Sequence, residues 1–245
     1  MHVHRRRARR AVSGLAVLGA ILAAAPSAGA TLSRHAPRHG FGHGTSTNWS
    51  GYAVGGTGAT NVIGTWTEPA VRCAAGENSW SAPWVGIDGD TSTTVEQIGT
   101  DSDCQNGTPV YYAWWEMYPK RSVLIPMTVS PGDSMTGQVT YQPSAGFVLT
   151  LTDDTTGATF TTTEALKKAR RTSVEWIVEG PSSGLLSNFG SVPFSSASAT
   201  INGQTGSLGS FTTAAPITMV SQQGAVRAAP SKASGGSFSV TWEHA

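Results

Sequence analysis

From Asn48 onward, apolar and polar positions follow a short-period pattern: brief runs that alternate or are continuously apolar, broken by turn-forming residues. Such runs cover residues 63–71, 84–87, 110–118, 122–129, 134–141, 147–151, 174–178 and 238–242. Asn106-Gly107, Pro131-Gly132 and residues 154–157 punctuate them as hairpin connections require. One stretch, residues 164–171 (EALKKARR), has the composition of a short helix. Many short strands with scarcely any helix predict an all-β fold, an antiparallel β-sandwich with one short helix. No repeat or composition break divides residues 48–245, so they read as one domain.

The pattern before Asn48 is different. Residues 1–30 run from an arginine-rich start (Arg5, Arg6, Arg7, Arg9, Arg10) through an apolar stretch to Ala28-Gly29-Ala30. That order is the one found in a secretory signal, with cleavage expected after Ala30, and the apolar stretch is short for a bilayer span. The mature chain is therefore expected outside the cytoplasm, free of the membrane. Residues 31–47 carry arginines, histidines, Gly, Ser and Thr but no apolar periodicity, and read as a flexible leader or short pro-segment. Lacking any acidic residue, this segment could lie across an acidic cleft, with Arg34 and Arg38 against Asp88 or Glu116. A plain spacer is the alternative. Two cysteines, Cys73 and Cys104, fit a secreted chain as one disulfide, which on the entropic account contributes roughly 3–4 kcal/mol.

Composition narrows the chemistry. Only 13% of the 245 residues are charged, and 29 are glycine. Without residues 1–30, 11 basic residues face 15 acidic ones, a net charge of about −4 with no basic footprint for a nucleic acid. The histidines beyond residue 30 are His35, His39, His43 and His244, all near the ends. A Ser-His-Asp, Cys-His or histidine-bearing zinc arrangement would have to borrow its base or ligand from a terminus. No phosphate loop, EF-hand or Asp-Thr-Gly/Asp-Ser-Gly pair is present. A hydrolase built on this chain has carboxylates, amides and water to work with.

Alternate strand residues share a face, which places Tyr112, Trp114, Glu116 and Tyr118 together, and likewise Glu175, Ile177 and Glu179. A glutamate on an apolar strand is costly to bury without a partner or a purpose, which singles out Glu175, between Val174 and Trp176. Glu179 is as easily an exposed position facing water. On pattern alone several readings stay open: a peptidase, a glycoside hydrolase with Glu116 and Glu175 as paired carboxylates, or a carbohydrate-binding module using the eight tryptophans as platforms.

Six motifs decide among these: Asn48-Trp49-Ser50-Gly51-Tyr52, Trp84-Val85-Gly86-Ile87-Asp88-Gly89, Gln97-Ile98-Gly99, Ala113-Trp114-Trp115-Glu116-Met117-Tyr118-Pro119, Pro131-Gly132-Asp133 and Glu175-Trp176-Ile177-Val178-Glu179. In order and approximate spacing, over about residues 48–197, the chain resembles the glutamic peptidases (eqolisins). The resemblance implies a concanavalin A/lectin-like sandwich of two large sheets and a catalytic pair, Gln97 and Glu175, with Trp84, Asp88 and Glu116 lining the same cleft. It also implies an acid endopeptidase that acts on polypeptide substrates as a monomer and needs no metal or organic cofactor. The chain departs from the fungal members in its mild acidity, its single cysteine pair and its short leader.

Overall fold

The structure, a computed structural model, describes Met1, residues 35–42 and residues 44–245. The expected signal and its cleavage point at Ala30, together with Arg34 and His43, lie outside the described residues. The strands form two ladders. In spatial order the first runs Ala214–Val220, Trp49–Gly55, Ser173–Glu179, Ala82–Ile87, Val95–Gln105, Thr108–Tyr118 and Val123–Ile125. The second runs Ala158–Glu164, Gly146–Asp153, Ser134–Gln142, Asn61–Thr67, Ser191–Ile201, Phe238–Trp242 and Val226–Pro230. Ala214–Val220 belongs to both, since its first half pairs with Trp49–Gly55 while Met219 and Val220 pair with Val226–Pro230. Apart from two two-residue parallel contacts, these pairings are antiparallel, and the fold is nearly all-β as expected.

Strand alternation builds the core between the ladders. Val174, Trp176 and Val178 from the first meet Val62, Trp66, Met135 and Leu149 from the second in one buried cluster. The closest approach is at Gly64, where an added Cβ would lie 2.5 Å from Trp176 Cδ1. There the Trp176 indole donates to the Ile63 carbonyl at 2.8 Å, so the largest side chain of the core also satisfies its one polar atom.

Val95–Gln105 (VEQIGTDSDCQ) is the strand the hydrophobic pattern hides, because it is polar yet buried along nearly its whole length. It is stabilised by side-chain partners rather than by apolar burial. On its core face Thr100 donates to Glu68 at 2.5 Å, Ser102 donates to the other Glu68 oxygen, and Trp66 donates to the Thr100 hydroxyl at 3.0 Å. On its outer face the Tyr112 hydroxyl lies 2.6 Å from Asp101 and 2.9 Å from Asp103. Cys104, at its end, is bonded to Cys73 with Cα atoms 5.5 Å apart, as expected.

Two sequence expectations fail here for physical reasons. Residues 164–171 form no helix: Glu164 ends a strand, paired with Phe147, and a turn follows. Eight residues of good helix composition make only a marginal helix alone. The backbone N–H groups of Arg170, Arg171 and Thr172 donate instead to the Asp88 carboxylate at 2.7, 2.7 and 2.9 Å. The only helical piece among the described residues is the short 3₁₀ turn Leu208–Ser210. The described part of the 31–47 segment is also packed rather than loose. Gly40–Gly42 pairs with Thr45–Ser46, which runs beside Thr218 and Met219. Its contacts are hydrogen bonds to the domain, which leave no apolar period to read.

Asp88→Ala is expected to cost about 3 kcal/mol or more, because it leaves several amide donors without their charged acceptor and puts alanine at a φ of 70°. Asp88→Asn should cost less; equal urea midpoints for Asp88→Ala and the parent chain would contradict this role. A second expectation concerns pH. Burial pushes the Glu68 carboxyl up to about 7, with the Ser102 and Thr100 hydroxyls opposing. Burial pushes Glu96 up to about 9, with the charge of Asp88 adding to the effect. Raised values in the fold favour the native state fully below the ordinary value near 4.5, and that advantage is lost as pH rises through 7 and then 9. Thermal unfolding should therefore occur at the highest temperature near pH 4 and at falling temperature from pH 5 to 9. Glu96→Gln should flatten the alkaline part of the profile.

Candidate active site

The antiparallel register sets one row of residues across the first ladder: Ala53, Glu175, Gly86, Gln97 and Glu116, each directly opposite the next. All lie on the face away from the main core, because Val174 and Trp176 on either side of Glu175 point into it. Neighbouring strands are ~4.8 Å apart, so Glu175 and Gln97, two strands apart, have Cα atoms about 10 Å from each other. Gly86 between them contributes no side chain. A Cβ there would lie 2.9 Å from the Trp84 ring and 3.2 Å from Gln97 Cβ, so the close packing of Trp84 and Gln97 over this position depends on glycine.

Gln97 Nε2 donates to Glu116 Oε2 at 2.7 Å. Its Oε1 has no hydrogen-bond partner, and neither carboxyl oxygen of Glu175 has one, although both residues are wholly buried. An unpartnered buried polar group is costly, and two on one register row, separated by a glycine, are groups that a hydrogen-bonding ligand would satisfy. Burial pushes Glu175 well above the usual carboxylate range, and the negative charges of Asp90, Asp88 and Glu96 push the same way. Burial raises Glu116 to about 7, with His35 opposing and Glu179 adding.

The next rows hold the aromatic wall. Trp84, Gly99 and Trp114 are opposite one another, and the missing side chain of Gly99 is required because a Cβ there would lie 2.5 Å from Trp84 Cβ. Trp84 Nε1 donates to Glu179 Oε2 at 3.1 Å, and its ring meets Trp49 edge-on at 4.9 Å. The structure thus brings Trp84, Glu116, Gln97 and Glu175 together on one face. Asp88 is beside them, but both its oxygens are engaged by the loop at residues 170–172, and its charge alone reaches Glu175. Arg38 pairs with Asp90 at 3.0 Å, not with Asp88 or Glu116 as the sequence suggested.

Three polar residues of this face did not stand out in the sequence. Glu179 is buried, not water-facing, and burial raises it to about 8. Asp101 follows Gln97 by four residues and shares its face, a period-2 signal obscured by the polar composition of the strand. His35, in a stretch with no pattern at all, is buried against Trp114. Among the described residues no group of three or more His, Cys, Asp and Glu side chains is placed to hold a metal ion, and no helix is long and apolar enough to cross a membrane.

Comparison with known proteins gives the same picture. The chain is 34% identical to aspergillopepsin-2 of Aspergillus niger over 187 residues, 65% of this chain and 66% of that protein. It is 34% identical to scytalidopepsin B of Scytalidium lignicola over 137 residues, 54% of this chain and 51% of the relative. It therefore spans about half to just under two thirds of these curated relatives. Its fold is similar to the crystal structure of scytalido-glutamic peptidase with a transition state analog inhibitor, with a TM-score of 0.69 and 27% identity over 80% of this chain and 98% of that one. A profile of the Peptidase A4 family matches residues 47–242, nearly the whole described fold. With the family profile, the curated relatives and the fold in agreement, the chain belongs to the Peptidase A4 family, the eqolisins.

Proposed function

We propose that this chain is a secreted acid endopeptidase in which Glu175 and Gln97 carry out peptide-bond hydrolysis. The observation that carries the reading is the register row in which Gly86, with no side chain of its own, separates a carboxyl without hydrogen-bond partners from a carboxamide held by Glu116. A peptide carbonyl entering between them meets both groups. Ionised Glu175 takes a proton from a water whose oxygen bonds to the carbonyl carbon. The carbonyl π-electrons move onto oxygen, and the resulting oxyanion accepts a hydrogen bond from Gln97. Protonated Glu175 then gives its proton to the amide nitrogen as the C–N bond breaks, leaving an acid and an amine. A carboxamide has two N–H donors, and Glu116 accepts one, which fixes the direction of the other. Glu116 is in this reading a positioning residue for Gln97.

Burial favours the protonated form of Glu175, the wrong form to accept a proton from water. Admitting water to the cleft lowers its pKa toward the ordinary range and makes it a base at mildly acid pH. The paired-carboxylate glycosidase reading fits poorly. Glu116 and Glu175 are three strands apart, about 14 Å between Cα atoms, with Gln97 between them and bonded to Glu116.

On a denatured protein substrate, Glu175→Gln is expected to lower kcat by ~10²–10⁴-fold and Gln97→Ala by ~10²–10³-fold, with unfolding midpoints close to that of the parent chain. Turnover near the parent level in either folded variant would remove the pair, and sugar release from xylan or β-glucan without peptide release would replace the reading. The rate should also fall between pH 6 and 8, as Glu116, which burial raises to about 7, ionises and its negative charge opposes the oxyanion forming at Gln97; a profile still climbing there would contradict it.

A further inference from the structure

His35 is an anomaly in a segment with no hydrophobic pattern: it is 3% exposed, and its ring stacks on Trp114 with centroids 3.6 Å apart and planes 13° apart. Its two nitrogens face carboxyls on opposite edges, Nε2 toward Asp101 at 3.5 Å and Nδ1 toward Glu179 at 3.7 Å. Glu116, bonded to Gln97, acts on it electrostatically. These are the titratable groups facing it from the Val95–Gln105, Thr108–Tyr118 and Ser173–Glu179 strands, with Asp103 and Tyr112 behind Asp101.

The backbone after His35 is held as a bound peptide would be. Ala36 N–H donates to Glu179 at 2.9 Å, and the Ala36 carbonyl accepts from Trp49 Nε1 at 3.0 Å. The Pro37 carbonyl accepts from the Asn48 amide at 3.1 Å. Arg38 N–H donates to the Gly89 carbonyl at 3.0 Å, and its guanidinium reaches Asp90. The segment thus runs from the neighbours of Glu116, at one end of the register row, to the loop whose Asp90 acts on Glu175 at the other.

We infer that residues 35–38 are a tethered occupant of the chain's own peptide cleft, and that Trp114, Asp101 and Glu179 form a side-chain subsite for the imidazole of a histidine in a peptide. The inference rests on the peptidase reading for what the cleft binds. The parallel stack selects a flat ring, and the carboxyls opposite its two nitrogens, at 3.5 and 3.7 Å and neither hydrogen-bonded to the ring, select one with a polar atom on each edge. Burial holds the His35 imidazole down to about 4, which favours a neutral ring, and the same burial raises Glu179 to about 8 and Asp101 above the usual carboxylate range, which disfavours their charged forms. A long cation in the same seat would lack the charged partner it needs.

The test measures binding on chains that carry Glu175→Gln, so that no probe is cleaved, with His35 or its replacement verified at the N-terminus. The probe is a synthetic peptide of residues 33–42 (SRHAPRHGFG), compared with the same peptide bearing alanine or arginine in place of His35. Calorimetry at pH 6 should give at least ~10-fold tighter binding of the histidine peptide to the His35→Ala chain than to the chain with His35 in place, since the tethered competitor is weakened. Arg38→Ala, which releases the other end of the segment, should act in the same direction if His35→Ala fails to fold. The alanine and arginine peptides should bind at least ~10-fold more weakly than the histidine peptide. Equal affinity for chains with and without His35, or for the three peptides, would overturn the inference. Hydrolysis by the chain with Glu175 is assayed separately, so failure of the peptidase reading shows as absent cleavage while peptide binding is still scored on its own.

Discussion

Carboxyl groups sealed inside a sheet impose the constraint on which the rest of this structure depends. Glu68, Glu96, Asp101, Asp103, Glu175 and Glu179 are all buried, and in each case burial raises the pKa above the ordinary range. A carboxylate in such surroundings costs several kcal/mol unless it is neutralised or fully hydrogen-bonded, so these groups fold largely as acids. Tyr112 shows the consequence locally. One phenol oxygen approaches two aspartates and has one proton to give, so at least one of Asp101 and Asp103 must carry a proton for the trio to be satisfied. Asp88 is the contrasting case: it is just as buried, but five donors, the Thr94 hydroxyl among them, surround its oxygens and partner both.

The same constraint explains where glycine and tryptophan fall. Polar side chains can meet over the face of a sheet only if neighbouring positions yield space, and Gly86 and Gly99 do so where an added Cβ would collide with Trp84 or its neighbours. Trp84, Trp49 and Trp114 then close the face against water and help raise the pKa of the carboxyls beneath them. Gln97 is suited to this setting because it supplies hydrogen-bond donors with no charge to bury. Its orientation is fixed by Glu116 and not by solvent.

The sequence alone determined the fold class, because strand alternation at residues 134–141 and 147–151 is a direct consequence of one buried and one less buried face. It also marked Glu175, a carboxylate between apolar neighbours, and the cysteine pair. It named Gln97 only through the resemblance to a family, since a lone strand glutamine carries no pattern of its own. Tertiary structure decided the rest. Residues 164–171 have helix composition, but Asp88, distant in sequence, draws their amides into a loop. The strand at residues 95–105 is invisible to a hydrophobic reading because its partners are hydroxyls and acids from elsewhere in the chain. His35 lies in a featureless leader, and only the assembled face of Trp114, Asp101 and Glu179 gives it a seat. Periodicity reports which face of an element meets the core; hydrogen-bonded burial of polar groups depends on partners brought from afar by the register of the sheet, and no local pattern encodes them.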